Sequence, residues 1–139
     1  MDIQIVKFQQ HSDGRGGLIA IEQLKDIPFK IKRVYYIFDV AEGVQRGFHA
    51  HKRLQQVMFC PQGSCKIRLD DGAEKAEILL DSPDKGLLVK SNIWREMFDF
   101  SPGTVLMVLA SDYYDESDYI RDYAEFWNSL KDIDLEEMR

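Results

Sequence analysis

Apolar residues recur along this chain in short runs that suit strands rather than helices. Positions 3–8 alternate apolar and polar side chains. Further runs of strand length follow at 17–22, 33–39, 54–60, 64–70, 74–80, 86–89 and 104–110, each rich in Val, Ile, Leu or aromatic residues. Turn signals separate them: Asp13-Gly14 before Gly16-Gly17, Pro61-Gln62-Gly63, Asp70-Asp71-Gly72, the stretch from Pro83 to Gly86, and Pro102-Gly103. Many short strands with regular turns predict a β-sandwich or barrel.

One segment changes period. Over 117–130 the apolar residues fall at Tyr119, Tyr123, Phe126 and Leu130, which is helical spacing, and Asp115 or Ser117 can cap the start. The expectation is an all-β fold closed by one C-terminal helix. No internal repeat, low-complexity stretch or linker interrupts it, so residues 1–139 read as a single domain.

Composition narrows the class of partner. The formal net charge is −6. Duplex binding draws on a basic face that neutralises phosphates, so nucleic acid is not the expected partner, although a small phosphate site remains compatible. The acidic stretch at 132–137 reads as a solvated tail or helix face. Cys60 and Cys65 are separated by a turn containing Pro61 and Gly63; adjacent strands would bring them together, but two thiols here read as reduced core residues. The start MDIQIVKFQQ has no cationic region leading into an apolar run, and no stretch is apolar enough to span a bilayer. The expected location is cytoplasmic.

The chemistry concentrates in Arg46-Gly47-Phe48-His49-Ala50-His51-Lys52, which holds two of the three histidines. On a strand, positions i and i+2 share a face, so both imidazoles can enter one cavity. Two such histidines are a common beginning of a metal site. After His51 come four residues, then Gln56, then six more and Gly63. That spacing resembles the first cupin motif, with Gln in place of its Glu. The second motif, Pro-x-Gly-x-x-His-x3-Asn, is matched in frame by Lys90, Asn92, Arg95 and Asp99, which puts Arg95 where the last metal histidine stands. A guanidinium is always charged and repels a divalent cation. The expectation is no metal and no cofactor, with the histidines free for acid/base work near their ordinary pKa. His11 has no such context and reads as a surface residue.

These residues extend into a wider likeness. Ile27-Pro28-Phe29, Ile31-Lys32-Arg33-Val34-Tyr35-Tyr36-Ile37, the histidine segment, Trp94-Arg95-Glu96-Met97, Val108-Leu109-Ala110-Ser111-Asp112-Tyr113-Tyr114-Asp115-Glu116 and Asp118-Tyr119-Ile120-Arg121 together resemble the dTDP-4-keto-6-deoxyglucose 3,4-ketoisomerases along nearly the whole chain. The resemblance implies a metal-free cupin, a jelly-roll β-barrel with the C-terminal helix. It implies a dTDP-linked 4-keto-6-deoxyhexose as substrate and a homodimer with exchanged N-terminal strands. The implied pathway leads through an aminotransferase to 3-amino-3,6-dideoxyhexoses for O-antigen, lipopolysaccharide or S-layer glycans. More distant dTDP-sugar 3,5-epimerases share an Arg-Gly-x-His strand, matched here by Arg46 and His49.

Such a reaction needs a base for the C3 proton, which the C4 ketone acidifies, an acid for C4, and fixed donors for the enediolate between them. His49 and His51 are the candidate base and acid, in either order. Arg95 is the candidate cation for the enediolate or sugar oxygens, and Tyr35 or Tyr36 a phenol donor, since alternation turns only one of them inward. Arg15, on a Gly-rich turn, can approach the sugar. Arg33, Arg46 and Arg121 suit the pyrophosphate, because a guanidinium binds phosphate oxygens in pairs. Arg121 also falls in the first turn of the expected helix, where the helix N-terminus adds positive potential. Tyr113 or Tyr114 offers a flat surface for the thymine. Related ketoisomerases vary at the positions of Arg15 and Arg95; Arg15 tilts the expected product toward the galacto configuration over gluco. The rival readings are a 3,5-epimerase, a metallocupin and a non-catalytic sugar-binding cupin.

Overall fold

The structure, a computed structural model, describes residues 1–137, and side chains only as far as residue 133. The chain runs through β1 (Gln4–Lys7), β2 (Gln10–Asp13), β3 (Gly16–Ile19), β4 (Arg33–Phe38), β5 (Arg46–His51), β6 (Gln56–Gln62), β7 (Cys65–Asp70), β8 (Lys75–Leu80), β9 (Lys85–Val89), β10 (Trp94–Phe98), β11 (Val105–Ala110), a 3₁₀ turn (Glu116–Asp118), β12 (Tyr119–Ile120) and α1 (Tyr123–Glu137). Two five-stranded antiparallel sheets result, ordered β1-β9-β6-β11-β4 and β12-β5-β10-β7-β8, with β2 and β3 as a separate hairpin. This is the expected jelly-roll.

The core lies between the sheets. Met58, Leu87, Val89, Leu106 and Val108 of the first sheet meet Cys65, Ile67, Leu69, Leu80 and Met97 of the second. The first sheet is covered on its outer face as well: Phe8, Ile27 and Phe29 pack over Val57, Phe59, Leu88 and Leu109. Burial on both faces explains why β6 reads Val57-Met58-Phe59-Cys60 without polar alternation. The second sheet is backed by α1, whose fully buried Phe126 packs with Ala50, Trp94 and Ile120. Ala50 sits between the two histidines in sequence and points the opposite way, so the helix holds the histidine strand from behind.

The helix begins later than its sequence period indicates. Residues 117–122 form the end of the 3₁₀ turn, then β12 and its exit, and the cap is Asp122, whose Oδ1 accepts from the N–H of Ala124 at 2.7 Å. Asp115 caps the 3₁₀ turn instead. Tyr119 is therefore a strand residue, and Arg121 precedes the helix rather than sitting in its first turn. The acidic residues at 132–137 continue α1, and their side chains from 134 on lie outside the described residues. Cys60 and Cys65 lie on consecutive strands of different sheets, unbonded, with Sγ atoms 3.6 Å apart. No described helix is long and apolar enough to cross a membrane.

Candidate functional site

β5 does not run straight into the site. It pairs with β10 so that Arg95 faces His49 and Glu96 faces Gly47, which leaves Phe48 as an extra residue opposite nothing. This is a β-bulge, a device that re-aims side chains beside functional sites. Gly47 (φ 92°) and Phe48 (φ 59°) both take left-handed backbone. Glycine is required at the first, where a Cβ would lie 3.0 Å from the carbonyl oxygen of Arg95. Phe48 is costly at the second, since a bulky residue rarely adopts that conformation. The bulge has a consequence for spacing. Arg46 and His49 are three residues apart and would face opposite sides of a regular strand; here both line one cleft.

That cleft, about 430 Å³, opens between β4 of one sheet and β5 of the other. Its walls include Arg33, Tyr35, Arg46, His49, Tyr119 and Arg121. His49 is the histidine that reaches it, and among the described residues neither of its buried ring nitrogens has a hydrogen-bond partner. Burial, and then the nearby Arg95, push its pKa down to about 4. It is thus a neutral imidazole, a base, at physiological pH. The ring of His51 stands edge-on to that of His49 with centroids 5.0 Å apart. It is fully buried behind the cleft wall and held lower still, to about 2, by burial and then Arg95. Tyr119 packs on both imidazoles, at 5.1 and 4.3 Å.

Arg95 does not line the cleft. It is fully buried behind His49 and Tyr35, with no carboxylate partner. Its Nη1 donates to Gln56 Oε1, its Nη2 to the carbonyl of Ile93 at 3.0 Å, and its Nε is unpaired. Burial lowers its pKa to about 10, leaving it charged at neutral pH. Gln56 passes the interaction on: its Nε2 donates to the Tyr35 hydroxyl at 2.9 Å. Because that hydroxyl oxygen is accepting, its own O–H remains free for the cleft. Along β4, Arg33, Tyr35 and Ile37 turn inward, while the Tyr36 ring is exposed and packs on Phe38, although Tyr36 also contributes to the cleft wall. Of the two tyrosines, Tyr35 is the one held by Gln56.

The mouth is basic. Arg33 lies over the rings of Tyr35 and Tyr114, at 5.3 and 5.6 Å, with Nε and Nη2 buried and unpartnered. Arg121 covers Tyr119 at 4.2 Å and is bidentate to Glu116 at 2.6 and 2.9 Å. Tyr114 also donates to Glu116 and contributes to the wall. Among the described residues, Arg33 and Arg46 form no ion pair, so the cleft offers positive charge to an anion. The expected trio of arginines therefore converges, although Arg121 does so without a helix N-terminus behind it.

Two expected residues lie elsewhere. Tyr113 is exposed beneath Lys32, away from the cleft, so Tyr114 is the one of this pair that lines it. Arg15 sits on the tip of the β2–β3 hairpin, 91% exposed, paired with Asp13 of the same turn. Its own chain's cleft is out of contact. Sequence reasoning assigned no role to Asp118, Tyr119 or Glu116. The signal was available only as proximity: β12 pairs Tyr119 with His51 and Ile120 with Ala50, carrying all three to the histidines.

The chain is also similar to known proteins. The sequence matches the family described as FdtA: WxcM-like, C-terminal, over residues 1–131. It is 55% identical over 136 residues to the TDP-4-oxo-6-deoxy-alpha-D-glucose-3,4-oxoisomerase of Aneurinibacillus thermoaerophilus, covering 98% of each chain. Its fold is similar to a 3,4-ketoisomerase from Helicobacter canadensis, with TM-score 0.91, 51% identity and coverage of 94% and 98%. It is equally similar, at TM-score 0.91, 48% identity and 94% coverage of both chains, to a histidine-to-asparagine mutant of the Thermoanaerobacterium thermosaccharolyticum 3,4-ketoisomerase solved in complex with TDP-4-keto-6-deoxyglucose.

Proposed function

The chain belongs to the FdtA family and is a dTDP-4-keto-6-deoxyglucose 3,4-ketoisomerase, and we propose that it works by histidine acid/base catalysis through an enediolate. The observation that carries the mechanism is His49: a neutral imidazole in the cleft wall whose nitrogens have no hydrogen-bond partner among the described residues. It removes the C3 proton, and negative charge develops on the C4 oxygen. The Tyr35 O–H meets that oxygen, polarised through Gln56 by the buried charge of Arg95. The hydroxyl proton passes from O3 to O4, and C4 takes a proton supplied through the His49–His51–Tyr119 cluster. The result is a 3-ketone, with one proton lost from C3 and one gained at C4. Arg33, Arg46 and Arg121 hold the pyrophosphate, and Tyr114 the thymine. No step calls for a metal. Arg15 favours the galacto product, and a C3 ketone suits a following transamination toward a 3-amino-3,6-dideoxyhexose.

The second part of the reading is a homodimer with exchanged N-terminal strands. The β2–β3 hairpin pairs with no other strand and exposes Leu18. A lone hairpin is marginally stable in water. β4 is an open sheet edge with Val34, Tyr36 and Phe38 exposed, beside an apolar groove of about 590 Å³ lined by Leu18, Ile31, Val34, Phe59 and Met107. A second copy covers this face, and an exchanged hairpin carries Arg15 toward the partner's cleft.

Proton NMR of dTDP-4-keto-6-deoxyglucose incubated with the protein in deuterated water tests the chemistry. A 3-keto product with deuterium at C4 is expected, and its C4 coupling constants report galacto or gluco. Deuterium at C3 and C5 with the C4 ketone retained would mean an epimerase, and an unchanged spectrum a binding protein. Light scattering tests the assembly, with twice the 16.2 kDa chain mass expected.

A further inference from the structure

His51 has one anchored nitrogen and one free one. Nδ1 lies 3.2 Å from Asp118 Oδ2, and Nε2 is buried without a partner, in a cluster formed by His49, Tyr119 and Arg95. Asp118 is itself buried and bound to the end of β5. Its Oδ1 accepts from the backbone N–H of Arg53 at 2.8 Å, its Oδ2 from that of Leu54 at 3.3 Å, and its carbonyl from that of Lys52 at 2.9 Å. Both side-chain oxygens therefore act as acceptors. The atom between Asp118 and the imidazole must be a proton on Nδ1, which leaves a bare lone pair on Nε2.

We propose that Asp118 is a positioning residue that locks His51 in the Nδ1–H tautomer, so that Nε2 can accept the proton that His49 takes from C3 and pass one back through the cluster for C4. This rests on the ketoisomerase reading and deepens it. When Nε2 is protonated, the ring carries a positive charge beside Arg95, and Asp118 is the carboxyl that meets it. Both the resting tautomer and the charged state thus depend on one side chain.

The Asp118→Asn variant separates this from a merely structural role. Its amide oxygen keeps the Oδ1 position, where the N–H of Arg53 donates at 2.8 Å, and gives up the longer bond from Leu54 at 3.3 Å. The NH₂ then faces His51, which can answer only with a bare Nδ1, and the tautomer inverts to Nε2–H. The expected result is a kcat lower by about 10²–10⁴-fold with KM within about twofold of wild type, and ¹⁵N NMR showing the inverted His51 ring. Wild-type protein, read by the same ¹⁵N measurement, shows Nδ1–H. A wild-type ring protonated on Nε2 overturns the proposal even if the variant does not fold, and so does a variant with the inverted tautomer and unchanged kcat. Wild-type turnover is measured alongside. Its absence would count against the ketoisomerase reading, while the tautomer measurement still decides the role of Asp118.

Discussion

Replacing Arg95 by Met is expected to slow the enzyme while leaving its stability nearly unchanged, an unusual combination for a fully buried side chain. On the stability side, two quantities oppose each other. The guanidinium bonds only neutral acceptors, Gln56 Oε1 and the Ile93 carbonyl, and has no carboxylate. Burying an ion in that way costs several kcal/mol, which Met relieves while filling most of the volume. Each acceptor left without a donor costs about 1–3 kcal/mol. The net change is within about 2 kcal/mol, or a melting shift below roughly 10 °C for a chain of this size. On the catalytic side, the charge stands three hydrogen bonds from the reacting oxygen, through Gln56 and Tyr35, on the order of 8–10 Å away. At an effective dielectric of about 20 this contributes about 1.7–2 kcal/mol to an oxyanion, or roughly 15–35-fold in kcat. The assay is initial rate on dTDP-4-keto-6-deoxyglucose, with thermal melts in parallel, in wild-type and Tyr35→Phe backgrounds. If the field acts through the phenol, the Arg95→Met effect shrinks in the Tyr35→Phe background. Additive effects, or a wild-type rate, would refute the relay; a collapse of stability would show that Arg95 is a structural strut.

The remaining predictions concern protons, metals and packing. Because His49 and His51 are held to about 4 and about 2, well below the ordinary 6.5, the unfolded chain binds protons that the folded chain refuses. Their contribution to stability is complete above pH 6.5. It erodes by up to about 1.4 kcal/mol per pH unit for each histidine as pH falls toward the folded values, so urea midpoints should drop steeply between pH 6.5 and 4. For the same reason, kcat/KM should stay flat from pH 8 to about 5 and fall near pH 4; an acid limb at 6.5 would contradict a buried, neutral His49. Dialysis against a chelator should leave the rate unchanged, since Arg95 stands opposite His49 in the strand register; loss of activity restored by one divalent metal would overturn this. Phe126→Ala should cost about 3–5 kcal/mol, since that fully buried ring joins α1 to Trp94 behind the histidine strand; a change below 1 kcal/mol by urea denaturation would show that the helix does not brace the site.

Much of this architecture was legible in the residues. Apolar runs with Gly and Pro between them marked eight of the strands, because burial on one or both faces leaves a direct pattern. β2, Gln10–Asp13, left none: all four residues are exposed, so no burial shaped them. The start of α1 differs from its sequence period because Tyr119, half-buried against the histidines, falls in register with Tyr123 and Phe126 by coincidence of spacing; periodicity registers apolar positions without distinguishing what they pack against. The histidine pair and the arginines were found because their chemistry is rare at that density. Asp118 and Tyr119 were not given roles, because they arrive from 67 residues away through a two-residue strand. The convergence of Arg46 with His49 on one cleft could not be read from alternation, since it depends on the bulge at Phe48.

On the proposed mechanism, Arg95 supplies from within the chain a positive charge that a metal could otherwise bring to the site. An imidazole that ligates a cation spends on it the same lone pair it would need to accept a proton. With the positive charge built into the chain behind the wall, neither His49 nitrogen is committed to a hydrogen bond among the described residues. The charge still does the two electrostatic tasks a metal would do at a distance: it disfavours protonation of the base before substrate arrives, and it favours negative charge on the substrate oxygen. What it gives up is direct coordination of that oxygen, and Gln56 and Tyr35 supply the missing reach. The proposed proton transfer between two adjacent carbons then rests on one cation fixed in place, one histidine without a partner among the described residues and a second held by Asp118.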